Sequence, residues 1–272
     1  MDLISKIQDN ANFMRKKILD ISFQSAHSAH LGGGLSMVEI MATLYTHILN
    51  FDKDNLNWNK RDRFILSKGH GVLGFYSALL LSGIIDEKKF YTYYQNESDL
   101  IAHPIMNPDL GIESSNGSLG QGLSFGIGLA IAYKKKKKTG NIYVLIGDGE
   151  CYEGSIWESA ITATEQKLDN LFLIVDSNGY QNDGAIASEM NSKNLYKKWR
   201  GFGWNVLKCD GHNITQLKKN FLTKKKKFQP TVLIAKTLKG KGVKFMENNN
   251  DWHHGRLTKE LYKKALNELR KI

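Results

Sequence analysis

Two continuous apolar runs, Ile142-Tyr143-Val144-Leu145-Ile146 and Leu171-Phe172-Leu173-Ile174-Val175, do not alternate with polar residues. Runs of this kind read as strands buried on both faces. Between them, 156–166 holds no Gly or Pro and carries its apolar residues at helical spacing. Strand, helix, strand implies a crossover that leaves both strands parallel, with their carboxyl ends at one edge. The same reading predicts helices over 3–25, 37–48, 73–81, 121–135, 156–166, 214–222 and 258–269. It predicts strands over 64–66, 142–146, 171–175, 205–208 and 231–236. The fold class expected is α/β: a single domain with a parallel sheet covered by helices on both faces.

The chemistry gathers where the strands end. Gly147-Asp148-Gly149-Glu150 follows the first run and Asp176-Ser177-Asn178 the second, so a carboxylate and a carboxamide meet at one sheet edge. Asp148 and Asn178 are hard oxygen ligands suited to Mg²⁺ or Ca²⁺, and a backbone carbonyl just after Asn178 is a candidate third. Gly147 and Gly149 permit a tight turn and let backbone N–H groups approach an anion. Gly-Asp-Gly alone is also an ordinary turn sequence; the second half-site after the next strand is what separates the two readings. His30, His70, His103 and His254 all sit in loop-like segments beside Gly or Pro. Such histidines are commonly surface residues, and they are also suited to exchanging protons with sugar hydroxyls near neutral pH.

Composition adds bounds. A chain of 272 residues can bury a large core, and neither a linker nor a repeat is visible. No apolar run reaches the ~20 residues that span a bilayer, and the amino terminus reads as an amphipathic helix, so a cytoplasmic location with no membrane contact is expected. Cys151 and Cys209 are isolated, which argues against a disulfide framework and a structural zinc site. The net charge of +11 comes from lysine, concentrated at 134–138 and 224–227. Those runs follow helices and lack interleaved aromatic or arginine residues, so no nucleic-acid partner is expected. A solvated face, or attraction of an acidic partner or phosphorylated substrates, accounts for them.

The motifs together resemble transketolase over nearly the whole chain. Gly147-Asp148-Gly149 with Asn178 matches the thiamine diphosphate signature. Glu153-Gly154, Trp157-Glu158 and Leu168-Asp169-Asn170-Leu171 match transketolase more specifically. Ser28-Ala29-His30-Leu31-Gly32-Gly33, Arg61 through Gly71, Gly117-Ser118-Leu119-Gly120-Gln121-Gly122 and Lys236-Thr237-Leu238-Lys239-Gly240-Lys241-Gly242 follow in the family's order. The resemblance implies thiamine diphosphate and Mg²⁺, with Ca²⁺ or Mn²⁺ as substitutes, and transfer of a two-carbon ketol unit from a ketose (phosphate) to an aldose (phosphate). It implies that Asp148, Asn178 and the carbonyl of Tyr180 hold the metal. By the same resemblance His70, Gly117, Leu119, Asp148, Gly149, Glu153 and Asn178 contact the cofactor, and His30, His70, His103 and His254 act on the sugar. His253 adjoins His254, leaving that assignment open by one position. Glu153 and Glu158 also correspond to acidic residues at the interface between subunits.

Ala29 and Leu31 depart from the family's Gly and Pro around His30, and Asn116 from its Thr, which bears on the donor pocket. The family's activating glutamate lies on a pyrimidine-binding domain, and the chain ends at Ile272 without that domain or the carboxyl-terminal one. The expectation is therefore a diphosphate-binding domain over 1–272, working as the amino-terminal subunit of a split transketolase. Its partner would be a separate carboxyl-terminal subunit in an α2β2 assembly. The alternatives are the α subunit of a 2-oxoacid dehydrogenase, a 1-deoxyxylulose-5-phosphate synthase, a ketol transferase dedicated to surface-sugar biosynthesis, and a non-catalytic module that kept the fold.

Overall fold

The apolar runs lie at the centre of a five-stranded parallel sheet. In chain order the strands are β1 (Arg63–Leu66), β2 (Ile142–Gly147), β3 (Leu171–Ser177), β4 (Tyr180–Gln181), β5 (Gly184–Ala185), β6 (Asn205–Asp210) and β7 (Thr231–Lys236). The sheet runs β1-β2-β3-β7-β6, while β4 and β5 form a small antiparallel hairpin beyond β3. This is a computed structural model, and it describes residues 2–187 and 192–270. The expected domain 1–272 is thus described apart from 1, 188–191, 271 and 272.

The helices are α1 (Leu3–Ser25), α2 (Leu31–Ser36), α3 (Val38–Thr43), α4 (Val72–Leu81), α5 (Glu87–Phe90), α6 (Gln121–Lys135), α7 (Gly154–Glu165), α8 (Ser192–Gly201), α9 (Ile214–Phe221) and α10 (Lys259–Leu269). Side chains alternate across the strands, so one sheet builds two cores. Tyr143, Leu145, Phe172 and Ile174 pack with α1, α3, α4, α9 and α10. Ile142, Val144, Leu173 and Val175 pack with α6, α7 and α8. Each fully buried Leu, Ile or Val stabilises by about 1.5–3 kcal/mol against exposure, which is why uninterrupted apolar runs are required in the central strands. Among the described residues no helix is long and apolar enough to cross a membrane.

The predicted strands all form, and β2, β3 and β6 run slightly further than their apolar residues. Register explains the extension: Gly147 pairs with Asp176, Asp176 with Ala235 and Ser177 with Lys236, so polar residues continue the ladder. The predicted helix 37–48 needs correction. The chain is already helical at Leu31, breaks at Met37 (φ −98°, ψ 7°), resumes over Val38–Thr43 and closes with a wide π turn over Leu44–Ile48. Gly32-Gly33-Gly34 reads as a loop by propensity, yet it is buried helix. A Cβ on Gly32 would lie 2.9 Å from the Trp252 carbonyl oxygen, and one on Gly33 3.0 Å from the His70 ring. Close approach to two other loops, rather than flexibility, selects glycine there. The sequence pattern does not announce α8 or the β4–β5 hairpin; α8 forms because it buries Leu195 and Trp199 against the sheet.

The lysine runs meet at the amino edge of the sheet. Lys134 Nζ lies 3.0 Å from Asp169, whose other oxygen accepts the Phe228 N–H at 3.0 Å, and Lys225 Nζ bonds Asn141.

Candidate active site

At the opposite, carboxyl edge, Lys68 follows β1 and Asp176 lies near the end of β3, and both are fully buried. Their side chains pair at 2.5 Å. Lys68 also donates to the Gly33 carbonyl at 3.0 Å, while Asp176 accepts from Ser36 Oγ at 2.6 Å and from the Thr237 hydroxyl. Burial alone would push the Asp176 carboxyl up; Lys68 and the two hydroxyls outweigh it and hold it below the usual carboxylate range. A buried ion pair of this kind survives only when its remaining lone pairs are satisfied, as they are here. It ties α2, β1, β3 and β7 into one floor.

Asp148, at the end of β2, stands beside that floor. Its carboxylate accepts N–H bonds from Gly149 at 3.0 Å and Gly179 at 2.7 Å. Burial nevertheless raises it to about 7, with the Gly179 N–H opposing and the Asp176 charge adding. A carboxylate so desolvated is stabilised as an anion by a cation placed against it. Asn178 Oδ1 is close by in sequence and accepts the Tyr180 N–H at 3.0 Å. Among the described residues no cluster of three or more His, Cys, Asp or Glu could hold a metal. The cavity lining offers instead the Asp148 carboxylate and the Asn178 carboxamide, a sparse oxygen set that would suit a cation completing its shell with phosphate and water, as Mg²⁺ does.

These groups line a cavity of about 240 Å³ together with Leu119, Gly149, Glu153 and Tyr180. Gly149 is required sterically, because a Cβ there would lie 2.9 Å from Gln181 Cβ in the hairpin. Glu150 is buried, and its carboxylate is fully engaged: it accepts from Ser67 Oγ at 2.5 Å, the Gly120 N–H at 2.8 Å and the Gly147 N–H at 3.2 Å. It thereby clamps the segment carrying Gly117 and Leu119 onto the ends of β1 and β2.

The histidines converge on His30. Its ring centroid lies 5.6 Å from His70, 5.7 Å from His103, 5.4 Å from His253 and 4.6 Å from His254. Both members of the His253-His254 pair therefore enter the cluster: His253 lines the cavity and His254 is exposed at its rim. Burial, then the neighbouring His254, His253, His103 and Lys239, lowers His30 to about 3. Burial also lowers His70 and His103, and takes His253 to about 4 with Lys239 beside it. A folded-state value below the unfolded 6.5 means the unfolded chain binds the proton first. Stability from His30, His70, His103 and His253 is thus complete above about pH 6.5 and is lost as the pH falls toward the folded values. Thermal unfolding should show Tm falling from pH 6.5 to 4, with a shallower fall in His30→Asn; an unchanged slope in that variant would refute the cluster's role.

Every catalytic, cofactor and metal residue expected from the sequence lies at this edge, with His103 beside Gly117, whose added Cβ would be 3.6 Å from the ring. Glu158 is exposed on α7. Sequence reasoning missed the roles of Lys68, Asp176, Glu150 and Lys239. The signal available was a charged residue adjoining an apolar strand or glycine turn, where burial demands a partner. Both cysteines are buried, and burial pushes the Cys151 thiol well above its ordinary value, so it is inert.

Comparison with known proteins agrees. The family described as "Transketolase, thiamine diphosphate binding domain" matches residues 7–269. An apulose-4-phosphate transketolase subunit from Actinobacillus succinogenes is 41% identical over 249 residues, covering 92% of this chain and 90% of that protein. The 6-deoxy-6-sulfo-D-fructose transketolase subunit SqwG of a Clostridium species is 38% identical over 266 residues, covering 97% and 96%. Transketolase from Campylobacter jejuni superposes with a TM-score of 0.88 at 30% identity, over 99% of this chain but 43% of that one. The chain therefore spans less than half the length of such longer transketolases. Motif order, sheet-edge geometry and these matches agree: the chain belongs to the transketolase family, in its thiamine diphosphate-binding domain.

Proposed function

We propose that the chain is the amino-terminal subunit of a two-chain transketolase that uses thiamine diphosphate and Mg²⁺ to move a two-carbon ketol unit from a ketose to an aldose. The observation that carries this reading is length together with likeness: the relatives named as transketolase subunits are matched over 90% and 96% of their own length. The partner is a separate chain bearing the pyrimidine-binding domain, in a cytoplasmic α2β2 assembly. Cavity size supports sharing of the cofactor. About 240 Å³ is below the ~300–1,000 Å³ of whole small-molecule sites, and it suits a diphosphate and its cation.

When bound, thiamine diphosphate supplies a nucleophilic carbon for breaking and remaking the bond beside a ketose carbonyl. In this reading Asp148, Asn178 and the Tyr180 carbonyl hold Mg²⁺. Gly149 would lie against the diphosphate, and Gly117, Leu119 and Glu153 would flank the rest of the cofactor. His30 and His70, held neutral by burial, orient substrate hydroxyls by hydrogen bonding, with His103 and His254 completing the rim. The two short relatives are named for an apulose 4-phosphate and a sulfonated fructose. That favours, as a second reading, a ketose with an anionic tail in a dedicated pathway over general pentose phosphate exchange.

Reconstitution tests the proposal. The chain should co-purify with the product of an adjacent reading frame, and ketol transfer to a panel of aldoses should require both chains. Sustained turnover by this chain alone would overturn the two-chain reading. Absence of ketol transfer by a stable reconstituted pair, across phosphorylated and sulfonated donors, would overturn the activity.

A further inference from the structure

The lysine runs at the amino edge differ from an ordinary solvated face in one respect. The two most exposed large apolar side chains among the described residues, Leu222 at 58% and Phe228 at 63%, bracket the second run. Thr223 and Lys224 to Lys227, which lie between them, are exposed throughout. Phe228 is also held out rather than merely left out. Its backbone is left-handed, with φ 60°, a conformation rare for an aromatic residue. Its N–H donates to Asp169 at 3.0 Å, and Lys167 Nζ lies 5.9 Å from its ring centre. Lys134, of the first run, holds the other Asp169 oxygen at 3.0 Å. Asp62, behind the runs, is 6% exposed and accepts the Asn50 and Asn141 N–H groups, while Asn141 accepts from Lys225. Ammonium groups and two apolar side chains thus occupy the outer face of this edge, with these carboxylates turned inward.

The chemistry of that face selects its partner. Geometric recognition of carboxylates or phosphates calls for the planar arginine fork, and neither run contains Arg. Binding of a nucleic-acid strand calls for rings in series on which bases stack, and here there is one. A bilayer with anionic lipid suits both features at once. Lysines are drawn as point charges to a diffuse negative surface, and Leu and Phe enter the boundary between headgroups and acyl chains. Such attachment needs no spanning helix.

We propose that the amino edge is a membrane-docking face: Lys224, Lys226, Lys227 and Lys135 to Lys137 approach anionic headgroups, and Leu222 and Phe228 insert between them. This replaces the expectation of no membrane contact that the lack of an apolar span suggested. The carboxyl edge, with Asp148 and the histidines, then faces away from the bilayer and stays open. The inference is independent of the ketol-transfer reading.

Sedimentation of the full chain with lipid vesicles tests it. Vesicles of phosphatidylcholine with about one-third phosphatidylglycerol should carry the protein down at low salt, and phosphatidylcholine alone should not. Lys224→Gln, Lys226→Gln and Lys227→Gln together should weaken binding on the order of 100-fold, at about fivefold per lysine, and flatten its salt dependence. Phe228→Asn, whose side chain tolerates left-handed backbone, should weaken binding about 10-fold and leave the salt dependence as it was. All four positions are exposed, so the folded state survives the changes. Absence of binding to anionic vesicles at low salt, equal binding to neutral ones, or full binding by Phe228→Asn would overturn the proposal. Capture by heparin or RNA without vesicle binding would assign the face to soluble polyanions and overturn it as well.

Discussion

Asp148→Ala is expected to abolish Mg²⁺-dependent retention of thiamine diphosphate, lowering affinity by at least about 100-fold, while the domain stays folded. Removing the only carboxylate in the oxygen set leaves a carboxamide and a carbonyl, too little charge to hold a hydrated divalent cation. The fold should tolerate the change because two effects oppose. The Gly179 and Gly149 N–H groups lose their acceptor, at about 1–3 kcal/mol for an unsatisfied buried donor. In return, a carboxyl that burial raises to about 7 no longer has to be ionised in a dry setting. Calorimetry with the partner chain present, alongside a melting curve, separates binding from folding. Equal cofactor affinity in the two proteins would refute the metal assignment.

Lys68→Met should act in the other way, through stability. The Asp176 carboxylate would remain at 0% exposure with the Ser36 and Thr237 hydroxyls and, at 3.4 Å, the Asn178 amide as its side-chain donors. Breaking one side of a buried pair costs about 3–5 kcal/mol, whereas replacing both sides by apolar residues of similar volume is often near neutral. Urea unfolding should therefore rank Lys68→Met far below Lys68→Met with Asp176→Leu. The single variant should also regain stability as the pH falls, since an unpaired buried Asp176 binds a proton more readily than the unfolded carboxylate does. A single variant as stable as the unsubstituted chain would show that the pair does not hold the floor.

The central sheet was legible because strands buried on both faces leave no polar position to confuse the pattern, as 142–146 and 171–175 show. Its order was not, since nothing local in 205–208 or 231–236 says that the later strand inserts beside β3. The helix at Leu31–Ser36 was hidden by glycines whose choice is dictated by Trp252 and His70, residues distant in sequence. In the site, Asp148 and Asn178 could be named because their chemistry follows from type and position. Lys68, Asp176 and Glu150 carry roles that exist only as contacts between strand ends. His253 shows the same limit on a smaller scale: the sequence offered two adjacent histidines, and the fold tells them apart by placing His253 in the cavity lining and leaving His254 exposed.

The meeting of both lysine runs at the amino edge of the sheet decides what the excess charge can do. Strands of six residues such as β2 and β7 separate the edges by about 20 Å at ~3.3 Å per residue. At physiological ionic strength the Debye length is about 8 Å. Through solvent, counterions therefore screen most of that field before it reaches the carboxyl edge, so the runs contribute little to the local potential at the cavity. The protein thus carries its lysine runs at one edge of the sheet and a separate set of charges at the other, where Lys68, Asp148, Glu150, Glu153 and Asp183 line the cavity.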